Sequence, residues 1–157
     1  MKHTFSVLVE NKFGVLARVA GLFAARGFNI DSLAVSPTNE PEVSRMTIVV
    51  DAAEERILEQ IKKQLNKLVD TIRVQDLTGE DFIDRELVLI KVEVSPKIRP
   101  QLLEIAQTME ARIDEAATNT MTLEVVGNSN KIHTFLELIE NFQIKEIVRT
   151  GRIAMSR

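Results

Sequence analysis

Thr4-Phe5-Ser6-Val7-Leu8-Val9-Glu10-Asn11-Lys12-Phe13-Gly14-Val15-Leu16, followed by Gly27-Phe28-Asn29-Ile30-Asp31-Ser32, is the stretch on which the fold turns. Phe5, Val7 and Val9 recur at every second residue, the period of a half-buried strand. Leu16, Val19, Ala20 and Phe23 then recur at helical spacing until Gly27 stops the run. A strand, a turn holding Asn and Gly, and a helix N-terminus thus follow one another. Such a junction leaves backbone N–H groups unpaired beside a polar side chain, which is how a small anion such as a carboxylate is held. The bland alternative is a helix cap, with Asn11 holding the turn and Gly14 supplying an unusual backbone angle. From Phe28 the apolar positions are 28 and 30, then 33 and 35, a slip of one residue around Asp31-Ser32 that a β-bulge requires. Asn29 lies beside this slip and is expected near the first loop, within one chain or across a dimer, so that two asparagines and a glycine converge.

Pro37 to Pro41 reads as a hairpin connection, and Met46, Ile48 and Val50 alternate as a third strand. Asp51-Ala52-Ala53-Glu54 resembles a capping box with Asp51 at the cap of a second helix. The buried stripe of that helix is Ile57, Leu58, Ile61, Leu65 and Leu68. Val69 to Gln75 supply a fourth strand, and the polar Thr78-Gly79-Glu80-Asp81 marks a boundary. The order then repeats: a strand at 87–95, a helix from Pro100 to Ala111, strands near 112–117 and 120–126, a helix over 131–141 and a strand from 144. Both halves read βαββαβ, the order of the ferredoxin-like split βαβ sandwich. The fold class is therefore α+β, with two such domains at 1–77 and 78–157. Domains this small bury a modest fraction of their surface, so their bare sheet faces and edges invite pairing with another chain, and a dimer is expected.

The 20 basic and 23 acidic residues leave a net charge of −3 without a long block of one sign, which argues against nucleic acid or acidic lipid as a partner. The absence of cysteine excludes disulfides and thiol chemistry. No apolar run approaches the ~20 residues needed to span a bilayer. No signal segment precedes the first strand, so a cytoplasmic location is expected.

Catalytic machinery is not written here. The two histidines, His3 before the first strand and His133 in the first turn of a helix, read as structural or solvent-facing. The glycines at 14, 21, 27, 79, 127 and 151 fit neither a dinucleotide fingerprint nor a phosphate loop. The same fold binds RNA through aromatic residues on its central strands, but the third strand, Val43 to Val50, carries none. No catalytic residue and no metal ligand is therefore expected.

Residues 6–19, SVLVENKFGVLARV, 21–33, GLFAARGFNIDSL, and 44–50, SRMTIVV, resemble the small, regulatory subunit of acetolactate synthase, also called acetohydroxyacid synthase. The resemblance continues through Gln64 to Asp70 and Arg85 to Val92, and resumes at Arg149 to Arg157; the first half is similar to an ACT domain. It implies a protein that does no chemistry itself, binds the large catalytic subunit, raises its activity and confers feedback inhibition by valine in branched-chain amino acid biosynthesis. Thiamine diphosphate, Mg and FAD would belong to that catalytic subunit, and no cofactor to this chain. The family pattern implies a homodimer through the ACT domains, with the effector at their interface. Asn11, Gly14, Val15 and Leu16 would come from one loop, with Asn29 and Ile30 from the partner. Leu16, Ile30 and Val35 are candidates for the apolar wall around the isopropyl group. The chain departs from the family where it reads Thr108-Met109-Glu110-Ala111-Arg112, with Glu110 in place of an arginine. The alternative is a free-standing ACT amino-acid sensor that regulates another enzyme or a transcription factor.

Overall fold

Alternation along β1 (Lys2–Glu10) sends Phe5, Val7 and Val9 into one core and leaves Thr4, Ser6 and Leu8 on the opposite face, as the computed structural model of residues 1–157 shows. The elements that follow are α1 (Val15–Ala25), β2 (Ile30–Pro37), β3 (Val43–Asp51), α2 (Glu55–Lys67) and β4 (Thr71–Asp76). β1 is central in the sheet, pairing antiparallel with both β3 and β4 in the order β2-β3-β1-β4. Both helices cover one face, where Val19, Phe23, Ile61 and Leu65 meet Phe5, Met46 and Ile48. Each of these fully buried side chains contributes about 1.5–3 kcal/mol relative to exposure.

The second half repeats the arrangement with β5 (Phe82–Glu93), α3 (Arg99–Thr108), β6 (Arg112–Ala116), β7 (Thr120–Gly127), α4 (Ser129–Ile139) and β8 (Ile144–Arg149), ordered β6-β7-β5-β8. Val88, Ile90, Leu123, Leu102 and Phe135 form a core of its own. Asn128 caps α4 by accepting from the Lys131 N–H at 2.9 Å. Arg149 donates to both carboxylate oxygens of the nearly buried Glu86, at 2.7 and 3.2 Å. The fold is thus α+β, with two ferredoxin-like βαββαβ sheets, the first an ACT domain. By contacts the chain divides into Met1–Ile83 with Arg152–Arg157, and Asp84–Gly151. The final strand β9 (Ile153–Ser156) was not anticipated from sequence; it packs with the first unit, where Arg152 donates to Thr4 Oγ1 at 2.7 Å.

The slip at Asp31-Ser32 is present, since the β2–β3 register shifts between Ile30 and Ser32. Gly27 (φ 68°) closes α1 in a Schellman arrangement, with Phe28 N–H donating to Phe23 O and Gly27 N–H to Ala24 O. Three expectations give way. Asp51 caps no helix: the β1–β3 ladder holds it in the strand opposite Lys2, and α2 begins four residues later with no side-chain cap. Its carboxylate instead accepts from the Met1 ammonium at 2.8 Å, and that hydrogen bond, then the attraction of the charge, holds its pKa below the usual carboxylate value. The stability this gives is present above the unfolded-state pKa and fades as pH falls through the lowered one. His3 lies within β1 and is buried, not ahead of the strand. Leu16 is 46% exposed, so the buried stripe of α1 is Val15, Val19, Leu22 and Phe23.

α3 ends in the same cap geometry as α1: Ala111 N–H donates to Ala106 O at 2.7 Å and Glu110 N–H to Gln107 O at 3.2 Å. The left-handed position falls on Glu110, the one non-glycine residue with positive φ (54°). A side chain there costs about 1–2 kcal/mol. The 3.5 Å contact to Lys131 offsets little of that, because the Glu110 side chain is largely exposed. Glu110→Gly is expected to raise the unfolding free energy by about 0.5–1 kcal/mol after the added flexibility of the unfolded chain. The measurement is the urea midpoint at constant slope; an unchanged midpoint counts against strain at this cap.

Candidate functional site

The end of β1 is tied down from both sides. Glu10 N–H donates to Asp70 O at 2.9 Å and Asn11 N–H to Glu42 O at 2.7 Å. The Asn11 amide nitrogen donates to Pro41 O at 2.9 Å, which anchors the side chain to the β2–β3 connection and leaves Oδ1 as an acceptor. The chain then turns, with Lys12 N–H on Glu10 O and a long 3.4 Å contact from Val15 N–H to Lys12 O. Gly14, at φ 81°, is the N-cap of α1 and has no side chain to offer; no acidic residue occupies the first turn. The Leu16 and Ala17 N–H groups therefore meet no capping side chain, at the positive end of an eleven-residue helix.

Two ion pairs flank this cap. Arg18 lies one turn along, with its N–H on Gly14 O at 3.1 Å. Its Nε donates to Asp70 Oδ2 at 2.7 Å, and Asp70 is buried. Its Nη1 would lie 3.0 Å from a Cβ placed on Gly14, so both backbone angle and space favour glycine there. Lys12 pairs with Glu10 at 3.0 Å; that hydrogen bond, then the attraction, pushes the ammonium pKa up. The loop can receive a carboxylate on backbone N–H groups and an ammonium on Asn11 Oδ1.

The expected site residues fall in two places. Asn11, Gly14, Val15 and Leu16 lie together at the end of β1 and the start of α1. Val15 is 3% exposed and belongs to the core, so only its backbone faces the loop. Asn29 precedes β2, and Ile30 registers with Val50, which in turn registers with His3. Asn11 follows Glu10, which registers with Val43. At ~3.3 Å per residue, Ile30 and Asn11 are separated by roughly 25 Å along the strands. Convergence within one chain does not occur, because β3 runs the length of the sheet between them. Val35 lies between these ends, in register with Met46 and Val7, and is 41% exposed on the edge strand.

Two participants escaped the sequence reading. Phe13 is fully exposed at the tip of the loop, an apolar ring that nothing in the chain covers. Arg18 was read past, although its place one helical turn after Gly14 was a usable signal.

Comparison with known proteins covers the whole chain. Residues 5–73 match the model of the AHAS small subunit-like ACT domain, and residues 85–157 that of the small subunit of acetolactate synthase. A probable acetolactate synthase small subunit from Archaeoglobus fulgidus is 48% identical over 157 residues, covering 100% of this chain and 98% of that protein. The acetolactate synthase small subunit of Mycobacterium bovis is 47% identical over 155 residues, 99% of this chain and 92% of that one. Among solved structures, the acetolactate synthase small subunit of Thermotoga maritima superposes with a TM-score of 0.88 at 35% identity, covering 100% of this chain and 98% of that one.

Arg18→Met strips the buried Asp70 carboxylate of its partner while keeping most of the apolar stem. With Arg18 half exposed, the expected loss is about 1–2 kcal/mol of unfolding free energy. Denaturant unfolding checks it, and a loss confined to Arg18→Met but absent in the double variant with Asp70→Asn would assign the cost to the orphaned carboxylate.

Proposed function

The chain belongs to the acetolactate synthase small-subunit family, and from that footing we propose that it binds the thiamine-diphosphate-dependent catalytic subunit, raises its activity and makes it respond to valine. Acetolactate synthase joins two pyruvates with loss of carbon dioxide; the chemistry belongs to the partner, and this chain supplies regulation. Effector binding and dimerisation are assigned to the ACT domain, expected over residues 1–77; the second unit is Asp84–Gly151 rather than all of 78–157, since Arg152–Arg157 go with the first unit. On this reading the protein works in the cytoplasm; none of its helices is long and apolar enough to cross a membrane.

The observation that carries the reading is the uncapped N-terminus of α1 at Gly14, set beside Asn11 and Arg18. The effector carboxylate takes the Leu16 and Ala17 N–H groups, strengthened by the helix dipole and the Arg18 guanidinium. The ammonium takes Asn11 Oδ1. The isopropyl group rests on Leu16, with Ile30 and Val35 completing the wall. Because Asn29 and Ile30 stand roughly 25 Å from Asn11 along the strands of one chain, they enter the site from a second copy. The exposed Phe13, Leu16 and Val35 favour that homodimer, since burying them against a copy removes apolar surface from water.

Valine bound between two copies shifts the holoenzyme only through its different affinity for the active and inhibited conformations. A coupling of ~1–3 kcal/mol suffices for inhibition of roughly 5- to 150-fold. Titration calorimetry of the purified chain is expected to show saturable valine binding that disappears in Asn11→Ala. Gly14→Asp places a carboxylate on the same N–H groups and beside Arg18, and is expected to abolish valine inhibition of the reconstituted holoenzyme. Full inhibition in Gly14→Asp overturns the site, and failure of the chain to bind or activate the catalytic subunit overturns the partnership.

A further inference from the structure

The face of the first sheet turned away from α1 and α2 carries a second cluster that the effector loop does not use. Alternation along β1 puts Ser6 and Leu8 on this face. Leu8 registers with Arg45 on β3 and with Arg73 on β4, and Ser6 registers with Thr47 and Gln75. Two arginines thus flank one leucine across three adjacent strands, about 10 Å apart at the backbone. Met155 and Ser156 of β9 form the remaining wall of a cavity of about 130 Å³ lined by Ser6, Leu8, Arg45, Arg73 and Gln75. All of these residues belong to the first unit.

The charge in this cavity is uncompensated. Arg45 Nη1 donates to Ser6 Oγ at 2.6 Å, a neutral hydroxyl, and Arg73 forms neither a hydrogen bond nor an ion pair. None of the chain's 23 acidic residues lines the cavity, although acids outnumber bases in the sequence. Glu80 comes only as far as the Gln75 amide nitrogen, at 3.1 Å. The two guanidinium groups are on β3 and β4 with β1 between them, and on one sheet face they repel each other. A guanidinium pair with hydroxyl and amide groups between matches the flat or tetrahedral oxygens of a carboxylate or phosphate. The volume far exceeds that of one water molecule.

We propose that this cavity binds a small oxyanion, the phosphate or carboxylate group of a soluble metabolite. Arg45 and Arg73 grip it from either side of Leu8, with Ser6, Gln75 and Ser156 supplying further hydrogen bonds. Bound there, the anion neutralises the arginine pair and ties β1, β3 and β4 together. None of the lining residues belongs to the loop at Asn11 to Leu16, so the occupancy of this cavity does not depend on the effector assignment.

The test is titration calorimetry of the full chain at low salt, with inorganic phosphate and acetate as separate probes; the tighter one identifies the group. Saturable binding of either probe is expected, weakened about tenfold or more in Arg73→Gln and in Arg45→Gln. Arg73→Lys keeps the charge without the fork and is expected to bind with intermediate affinity. Circular dichroism of each variant confirms that the fold is intact. No saturable binding of either anion, or equal affinity in wild type and all three folded variants, overturns the proposal.

Discussion

The strand period of two, acting on β1, is the constraint on which the first domain depends. β1 is paired on both sides, so it can neither twist away nor change register without breaking two ladders. Phe5, Val7 and Val9 consequently all lie on the helix-covered side, and Ser6 and Leu8 all lie on the other. The same strand also ends where the loop at Asn11 begins, so one central element positions both the helix cap and the arginine-lined cavity. A slip of one residue would turn Ser6 and Leu8 toward the helices and carry Phe5, Val7 and Val9 out of the core.

The loop itself combines several weak effects that point the same way. Its glycine has the one backbone conformation that closes the turn without steric cost, and it leaves the helix N-terminus uncovered. Asn11 is held by its amide nitrogen, which presents the oxygen rather than the N–H₂ group for further contacts. Arg18 is positioned by a buried carboxylate, so its charge stands beside the cap at little conformational cost to a ligand. The exposed Phe13 lies in the same turn and leaves an apolar ring in contact with water.

Element type was legible almost throughout, because the apolar periods are long and consistent: the strand and helix order of both halves, the bulge after Ile30 and the stop at Gly27 are all in the sequence. What misled was local chemistry that looks the same in two contexts. Asp51 followed by Glu54 resembles a cap, but a carboxylate next to a ladder partner is recruited by the Met1 ammonium opposite. Leu16 fits the helical period as well as Val15 does, and only the direction in which α1 meets the sheet separates the buried residue from the exposed one. The left-handed position at Glu110 was invisible, since nothing in a glutamate announces positive φ; the cap hydrogen bonds of α3 impose it.

The sequence by itself determined the two βαββαβ halves, the family and the loop at Asn11 to Leu16, because periodicity, glycine and contiguous motif are properties of neighbouring residues. Only the tertiary structure decided that Asn29 and Ile30 lie at the far end of the sheet from that loop, because strand order and register set distances between residues the chain separates. For the same reason it alone showed Arg45 and Arg73, 28 positions apart in the chain, flanking Leu8. Long-range pairing is a property of the folded sheet, and no local pattern encodes which charges it will place side by side.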